Sequence, residues 1–300
     1  LRGEPSRTLV NWFARQTGGL PAVAARELER LRARHGLVPA GANGWTIRPE
    51  LLGRPHRRVQ LPAPLTSLVG RETEIDRVTG LLSHARLVSL VGAGGIGKTR
   101  LALSVARAAV ENFADGAVFV PLAPVRHADG VLEAIATELE VAEEPGRPLL
   151  DTLSEHLADA VLLLLLDNFE QVLDAGPVVG SLLAAAPGVA ALVTSREPLG
   201  IYGEQVYRVP PLPLPDLNLH PDSLAAVASV LAQSPAVALF DQRARAANAE
   251  FTLDPDSWAA VAELCHRLDG LPLAIELAAA RTDRLSPQEV LAGLDPHLAI

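Results

Sequence analysis

The 300-residue sequence contains no methionine and a single cysteine, Cys265, so it carries almost no sulfur. One cysteine excludes an internal disulfide and any multi-cysteine metal site, and it fits a reducing, cytoplasmic setting. Its place in Val261-Ala262-Glu263-Leu264-Cys265, with no partner nucleophile motif nearby, reads as a buried thiol. With no methionine, Leu1 is not an initiator residue, and no charged-then-apolar leader pattern follows it, so the stretch reads as an excised fragment. Long apolar runs are missing too. The strongest, Val161 to Leu166, is far short of the ~20 residues that span a bilayer, which predicts no membrane segment. Lysine is the last scarcity: Lys98 stands alone against 25 arginines.

What is present suffices for about two domains, with 49% hydrophobic residues and a mean hydropathy of +0.22. The net charge of −9 is unevenly placed: residues 1–60 hold 11 arginines and 4 acids, whereas 61–300 hold 15 basic and 31 acidic residues. Such asymmetry points to two jobs. The stretch Val59-Gln60-Leu61-Pro62-Ala63-Pro64-Leu65 marks a boundary between them. Apolar runs at 87–91, 117–122, 161–166, 189–194 and 205–209 alternate with helical patterns at 99–112, 128–140, 149–159 and 177–186. This alternation predicts an α/β fold, a parallel sheet with helices on both faces. The prolines of residues 210–215 end it, and only helical patterns follow, at 223–233, 235–248, 256–268, 272–283 and 287–293. The predicted domains are therefore 1–60, 61–215 and 216–300, the last a small all-α domain.

The lone lysine sits in Gly92-Ala93-Gly94-Gly95-Ile96-Gly97-Lys98-Thr99, the pattern GxxxxGK[ST] that cradles phosphates between a strand and a helix. A chain that otherwise uses arginine keeps one flexible ammonium where a point charge on β- and γ-phosphates is needed. Gly92, Gly94, Gly95, Ile96, Gly97, Lys98, Thr99 and the following Arg100 are the expected phosphate-side contacts. The buried run Val161–Leu166 delivers Asp167 at the carboxyl edge of the sheet, where Asp167 and the Thr99 hydroxyl can hold Mg²⁺; the plainer alternative for Asp167 is a helix cap. Arg196 follows the strand 189–193 directly and can reach a γ-phosphate, or it can simply pair with Glu197 or Glu204 on the surface. The expected ligands are ATP or ADP with Mg²⁺, and Lys98, Asp167 and Arg196 are the candidate catalytic residues. A GTPase is excluded because the guanine-reading Asn-Lys-x-Asp needs a second lysine.

Taken in order, Leu68-Val69-Gly70-Arg71-Glu72, the glycine loop, Asp167-Asn168-Phe169-Glu170, Val193-Thr194-Ser195-Arg196-Glu197-Pro198-Leu199 and Gly270-Leu271-Pro272-Leu273-Ala274-Ile275-Glu276 resemble the STAND class of P-loop signal-transduction ATPases, specifically the NB-ARC-like ATPases of bacterial transcriptional regulators. The resemblance covers about residues 62–300. It implies that Val69 and Arg71 contact adenine and ribose, that Pro272 lies over the base from the helical domain, and that Arg196 senses the γ-phosphate. It also implies a winged-helix domain and a repeat sensor beyond Ile300, and self-assembly on activation. In hydrolytic relatives the residue after the Mg²⁺ aspartate is often acidic. Here it is Asn168, a poor base, with Glu170 as a substitute or merely a helix-start acid. Slow hydrolysis is expected.

In the basic segment, Leu20 to His35 reads as a helix with Leu28 and Leu31 inward and Arg26, Arg30 and Arg34 in an outward stripe. Leu37-Val38, the Asn43-Gly44 turn and Trp45-Thr46-Ile47 read as a hairpin wing. Together they resemble the tail of a winged-helix module able to contact DNA, or, with Glu27 and Glu29 pairing with the arginines, an ordinary solvated helix. The reading as a whole is an ATP/ADP-operated regulatory switch with slow hydrolysis. Its competitors are a hydrolytic AAA-type motor or a kinase, and a DNA-binding module with a vestigial ATP site.

Overall fold

The computed structural model describes residues 4–5, 10, 28, 31, 37–40, 44–47, 60–218 and 233–294. The chain divides into two compact units, 1–58 and 59–300. In the first, β1 (Glu4–Pro5), β2 (Leu37–Ala40) and β3 (Gly44–Ile47) form a sheet in the order β1-β3-β2. Strands β2 and β3 pair antiparallel, Leu37 opposite Ile47 and Ala40 opposite Gly44, while Asn43 of the expected turn lies outside the described residues. Strand β1, parallel to β3, has no counterpart in the sequence reading. Of the helix expected over 20–35, Leu28 and a buried Leu31 are helical; the rest, with Arg26, Arg30 and Arg34, lies outside the described residues.

The second unit carries a sheet of five parallel strands: β4 (Leu87–Val91), β5 (Ala117–Pro121), β6 (Leu162–Asp167), β7 (Val189–Ser195) and β8 (Glu204–Arg208). Their order is β5-β6-β7-β4-β8. The period-2 alternation of a strand divides the leucines of β6 between two cores. Leu162, Leu164 and Leu166 pack with α3 (Asp129–Glu138), α4 (Leu149–Leu157) and α5 (Gly176–Ala185). Leu163 and Leu165 face α1 (Glu72–Leu82) and α2 (Lys98–Ala109). Both faces being covered, the strand reads as one apolar run rather than an alternation. Each fully buried leucine contributes about 1.5–3 kcal/mol of transfer free energy.

A third core belongs to the helices that follow: α6 (Pro235–Ala247), α7 (Pro255–Arg267), α8 (Pro272–Ala280) and α9 (Pro287–Ala292), centred on Phe240, Trp258 and Ile275. Each begins with proline at its first position, where the missing N–H has no partner to lose. Asp254 and Ser286 complete capping boxes with Ser257 and Glu289. The helix expected over 272–283 ends at Ala280 and tightens into a 3₁₀ turn, Arg281–Asp283; of the helix expected over 223–233, residues 223–232 lie outside the described residues and Gln233 is in a turn. Gly270 takes a left-handed φ of +64°, and a Cβ there would stand 2.5 Å from the Leu212 carbonyl oxygen. Leu212 donates to the Gly270 carbonyl at 2.9 Å, tying the proline linker to the start of α8. No helix among the described residues is long and apolar enough to cross a membrane.

Candidate functional site

Strand β4 hands the chain to the glycine loop, and the loop hands it to α2, whose first helical residue is Lys98. The helix N-terminus aims unpaired amides and a partial positive charge back at the loop, which suits an anion. Lys98 folds over the same concavity and donates to the carbonyls of Gly92 at 2.8 Å and Ala93 at 3.0 Å. Burial pushes its pKa below the usual lysine value; Glu170 opposes that shift, Arg196 adds to it, and Asp167 opposes it.

Strand β7 lies between β4 and β6, so two hydroxyls meet at one carboxylate. Asp167 Oδ1 accepts from Thr99 Oγ1 at 2.7 Å and from Thr194 Oγ1 at 2.6 Å. Thr194 in turn accepts from the Asn168 amide at 2.9 Å. Nothing in the sequence singles out Thr194, because its role follows only from the strand order. Asn168 is left-handed, with φ 71° and ψ 45°, and turns the chain so that Phe169 is buried and Glu170 enters the cavity.

The cavity measures about 330 Å³, within the range of small-ligand sites. Along it lie Val69, Arg71, Gly94, Gly95, Ile96, Gly97, Lys98, Thr99, Arg100, Arg196 and Pro272, all predicted, together with Leu68, Leu212 and Leu239, which were not. Gly92 and Asp167 stand behind the lining, reaching it through Lys98 and Thr99. The lining combines apolar side chains with the loop amides, Lys98 and Arg196.

Two arginines are occupied in ways the sequence does not reveal. Arg71 is buried, bridging Glu74 at 3.1 Å and the Ile96 carbonyl at 3.3 Å, so it braces the loop. Arg100 donates to Glu276 Oε1 at 3.2 Å and to Thr66 and Ser67. Arg243 reaches the same Glu276 oxygen at 2.9 Å and Thr66 Oγ1 at 3.0 Å. Glu276 of α8 thus ties α2, α6 and the segment before α1 together. Arg196 does not take the surface pairing with Glu197 or Glu204. It faces Glu170 at 3.4 Å, while Glu204 caps the amides of Leu199 and Gly200.

The start of α8 rests on the phosphate loop itself. Leu273 donates its amide to the Gly95 carbonyl at 3.2 Å. Gly95 has φ +78°, and a Cβ on it would approach Leu273 Cβ to 2.9 Å.

The donors fit a hard cation: a hydroxyl and a carboxylate oxygen side by side, with Thr194 orienting the carboxylate. No group of three or more His, Cys, Asp or Glu able to hold a metal occurs among the described residues.

Residues 67–275 match the AAA ATPase domain family. An uncharacterized protein of Mycobacterium tuberculosis is 42% identical over 237 residues, which are 79% of this chain and 56% of that protein. A second protein of that organism, provisionally named an HTH-type transcriptional regulator, is 41% identical over 216 residues, 72% of this chain and 22% of its own length. The chain thus spans just over half of the first relative and far less of the second. Among solved structures, a STAND protein with a tetratricopeptide repeat sensor from Pyrococcus horikoshii aligns at 19% identity and a TM-score of 0.37, over 72% of this chain and 30% of that one.

Proposed function

The chain belongs to the AAA ATPase domain family, and from that premise we propose that it is an NB-ARC-like, STAND-class regulatory switch operated by ATP and ADP, with slow hydrolysis. The observation that carries the reading is the seat of α8 on the phosphate loop, Leu273 on Gly95 at 3.2 Å. A nucleotide in this cavity touches the loop and the helical lid at once. Its terminal phosphate therefore bears on how the two halves sit, which is what a population-shifting ligand requires. Similarity to a protein named as a transcriptional regulator supports a regulatory rather than a metabolic setting. The charge of residues 1–60 makes that unit the part suited to DNA phosphates.

In this reading Lys98 and the loop amides hold the phosphates, Val69, Leu212 and Leu239 flank the base with Arg71 beside them, and Pro272 covers it. Thr99 and Asp167 would hold Mg²⁺, which supplies charge neutralisation for the phosphate oxygens when bound. Arg196 meets the γ-phosphate. Asn168 stands where a base would polarise water, and an amide cannot take a proton, so turnover is slow. ADP keeps the lid seated; exchange for ATP releases it for self-assembly.

The test is to identify the nucleotide retained on purification and its turnover. Tightly held ADP with turnover well below ~1 s⁻¹, the low end for ordinary enzymes, supports the switch. Rapid cycling favours a motor, and absence of saturable ATP or ADP binding ends the reading.

A further inference from the structure

Arg196 already has a partner. Its Nε faces Glu170 Oε1 at 3.4 Å, and its Nη2 lies over the phosphate loop, 3.5 Å from where a Cβ on Gly94 would stand. The 3.4 Å separation is long for a guanidinium–carboxylate bond. Glu170 Oε2 is buried without a hydrogen-bond partner among the described residues. A buried acceptor without a donor costs free energy, so the pair is held loosely and at a penalty. Glu170 is also the foremost charge acting on Lys98, favouring its ammonium form. One carboxylate, placed by the left-handed Asn168 and the buried Phe169, therefore addresses both cations expected to meet terminal phosphates.

We propose, building on the nucleotide-switch reading above, that Glu170 is a specificity-determining residue that competes with the γ-phosphate for Arg196 and so biases the site toward ADP. ATP must draw Arg196 away from Glu170 and place its own negative charge beside the carboxylate. ADP lacks the group that competes. Glu170 acts through Arg196, so its signature is a change in preference between the two nucleotides rather than in binding as such.

The test uses the whole chain and compares Glu170→Gln and Glu170→Ala with the parent, titrating ADP and a non-hydrolysable ATP analogue with Mg²⁺. Both variants should raise the affinity ratio of ATP analogue to ADP by about five-fold or more, the lower range of couplings between charged groups. In an Arg196→Ala background, Glu170→Gln should leave the ratio unmoved. Thermal melting establishes that each variant is folded, and the pair of substitutions guards against one of them failing to fold. An equal shift for both nucleotides would assign Glu170 a general field effect and overturn the proposal. So would an unchanged ratio, or a ratio that still responds without Arg196. A parent chain that binds neither nucleotide would defeat the switch reading itself, a separate outcome.

Discussion

The Leu273 amide donates to the Gly95 carbonyl at 3.2 Å, and a Cβ on Gly95 would lie 2.9 Å from Leu273 Cβ. Loop and lid are therefore in contact with no room for a methyl group between them. Gly95→Ala adds that methyl at φ +78°, a conformation that costs an L residue about 1–2 kcal/mol before any clash. Denaturant unfolding should show that loss, and stopped-flow release of fluorescent ADP should accelerate. Leu273→Ala placed on top should recover part of the release rate and little of the backbone strain.

Glu276 is the shared acceptor of Arg100 and Arg243. Glu276→Ala leaves two guanidinium groups facing each other and removes the tie between α2 and α8. All three side chains are partly exposed, so the expected cost is about 1 kcal/mol, roughly five-fold in an opening equilibrium. Small-angle scattering with ADP bound should show a larger open fraction than in the parent chain. An unchanged profile would remove Glu276 as a latch.

Thr194→Val keeps the shape of a buried side chain while deleting the donor to Asp167 and the acceptor of the Asn168 amide. With the half-buried Asn168 amide and the Asp167 carboxylate each one partner short, melting should drop. The more telling readout is nucleotide affinity with and without Mg²⁺. The Mg²⁺-dependent increment should shrink, whereas binding in the presence of a chelator should change little.

Burial in the helical core pushes the Cys265 thiol up to about 12 from 9.0. Between those values the unfolded chain gives up its proton while the folded chain keeps it. Stability therefore falls as pH rises above 9, by about 1.4 kcal/mol per unit, and is untouched by the thiol below it. Unfolding curves at pH 8 and pH 10 should separate by more in the parent than in Cys265→Ala. At pH 8, alkylation of Cys265 should track unfolding and nothing else.

The parallel strands were legible because fully buried strands appear as unbroken apolar runs, and the later helices because proline and Asp or Ser mark their starts. The glycine loop was legible because its chemistry is local. Partnerships across the sheet were not. Thr194 acquires its role only because β7 inserts between β4 and β6, an order that no run of residues records. The Glu276 tie joins positions 66, 100, 243 and 276, and each of its members alone is an ordinary polar residue on a helix or a linker. The sequence offers Arg196 either a γ-phosphate or a surface partner, Glu197 or Glu204, and neither glutamate is its partner in the fold. The turn at Asn168 brings Glu170 instead.

The strand order also fixes when the site comes into being as the chain is made. The Gly92 amide rests on the Ser195 carbonyl, and Gly95 is covered by Leu273, so the glycine loop emerges from the ribosome long before the segments that complete and roof it. A nascent chain that has only the signature loop lacks the later lining residues, from Asn168 to Glu276. The whole pocket exists only once the chain has been made through α8, and a nucleotide seated in it would brace a finished molecule.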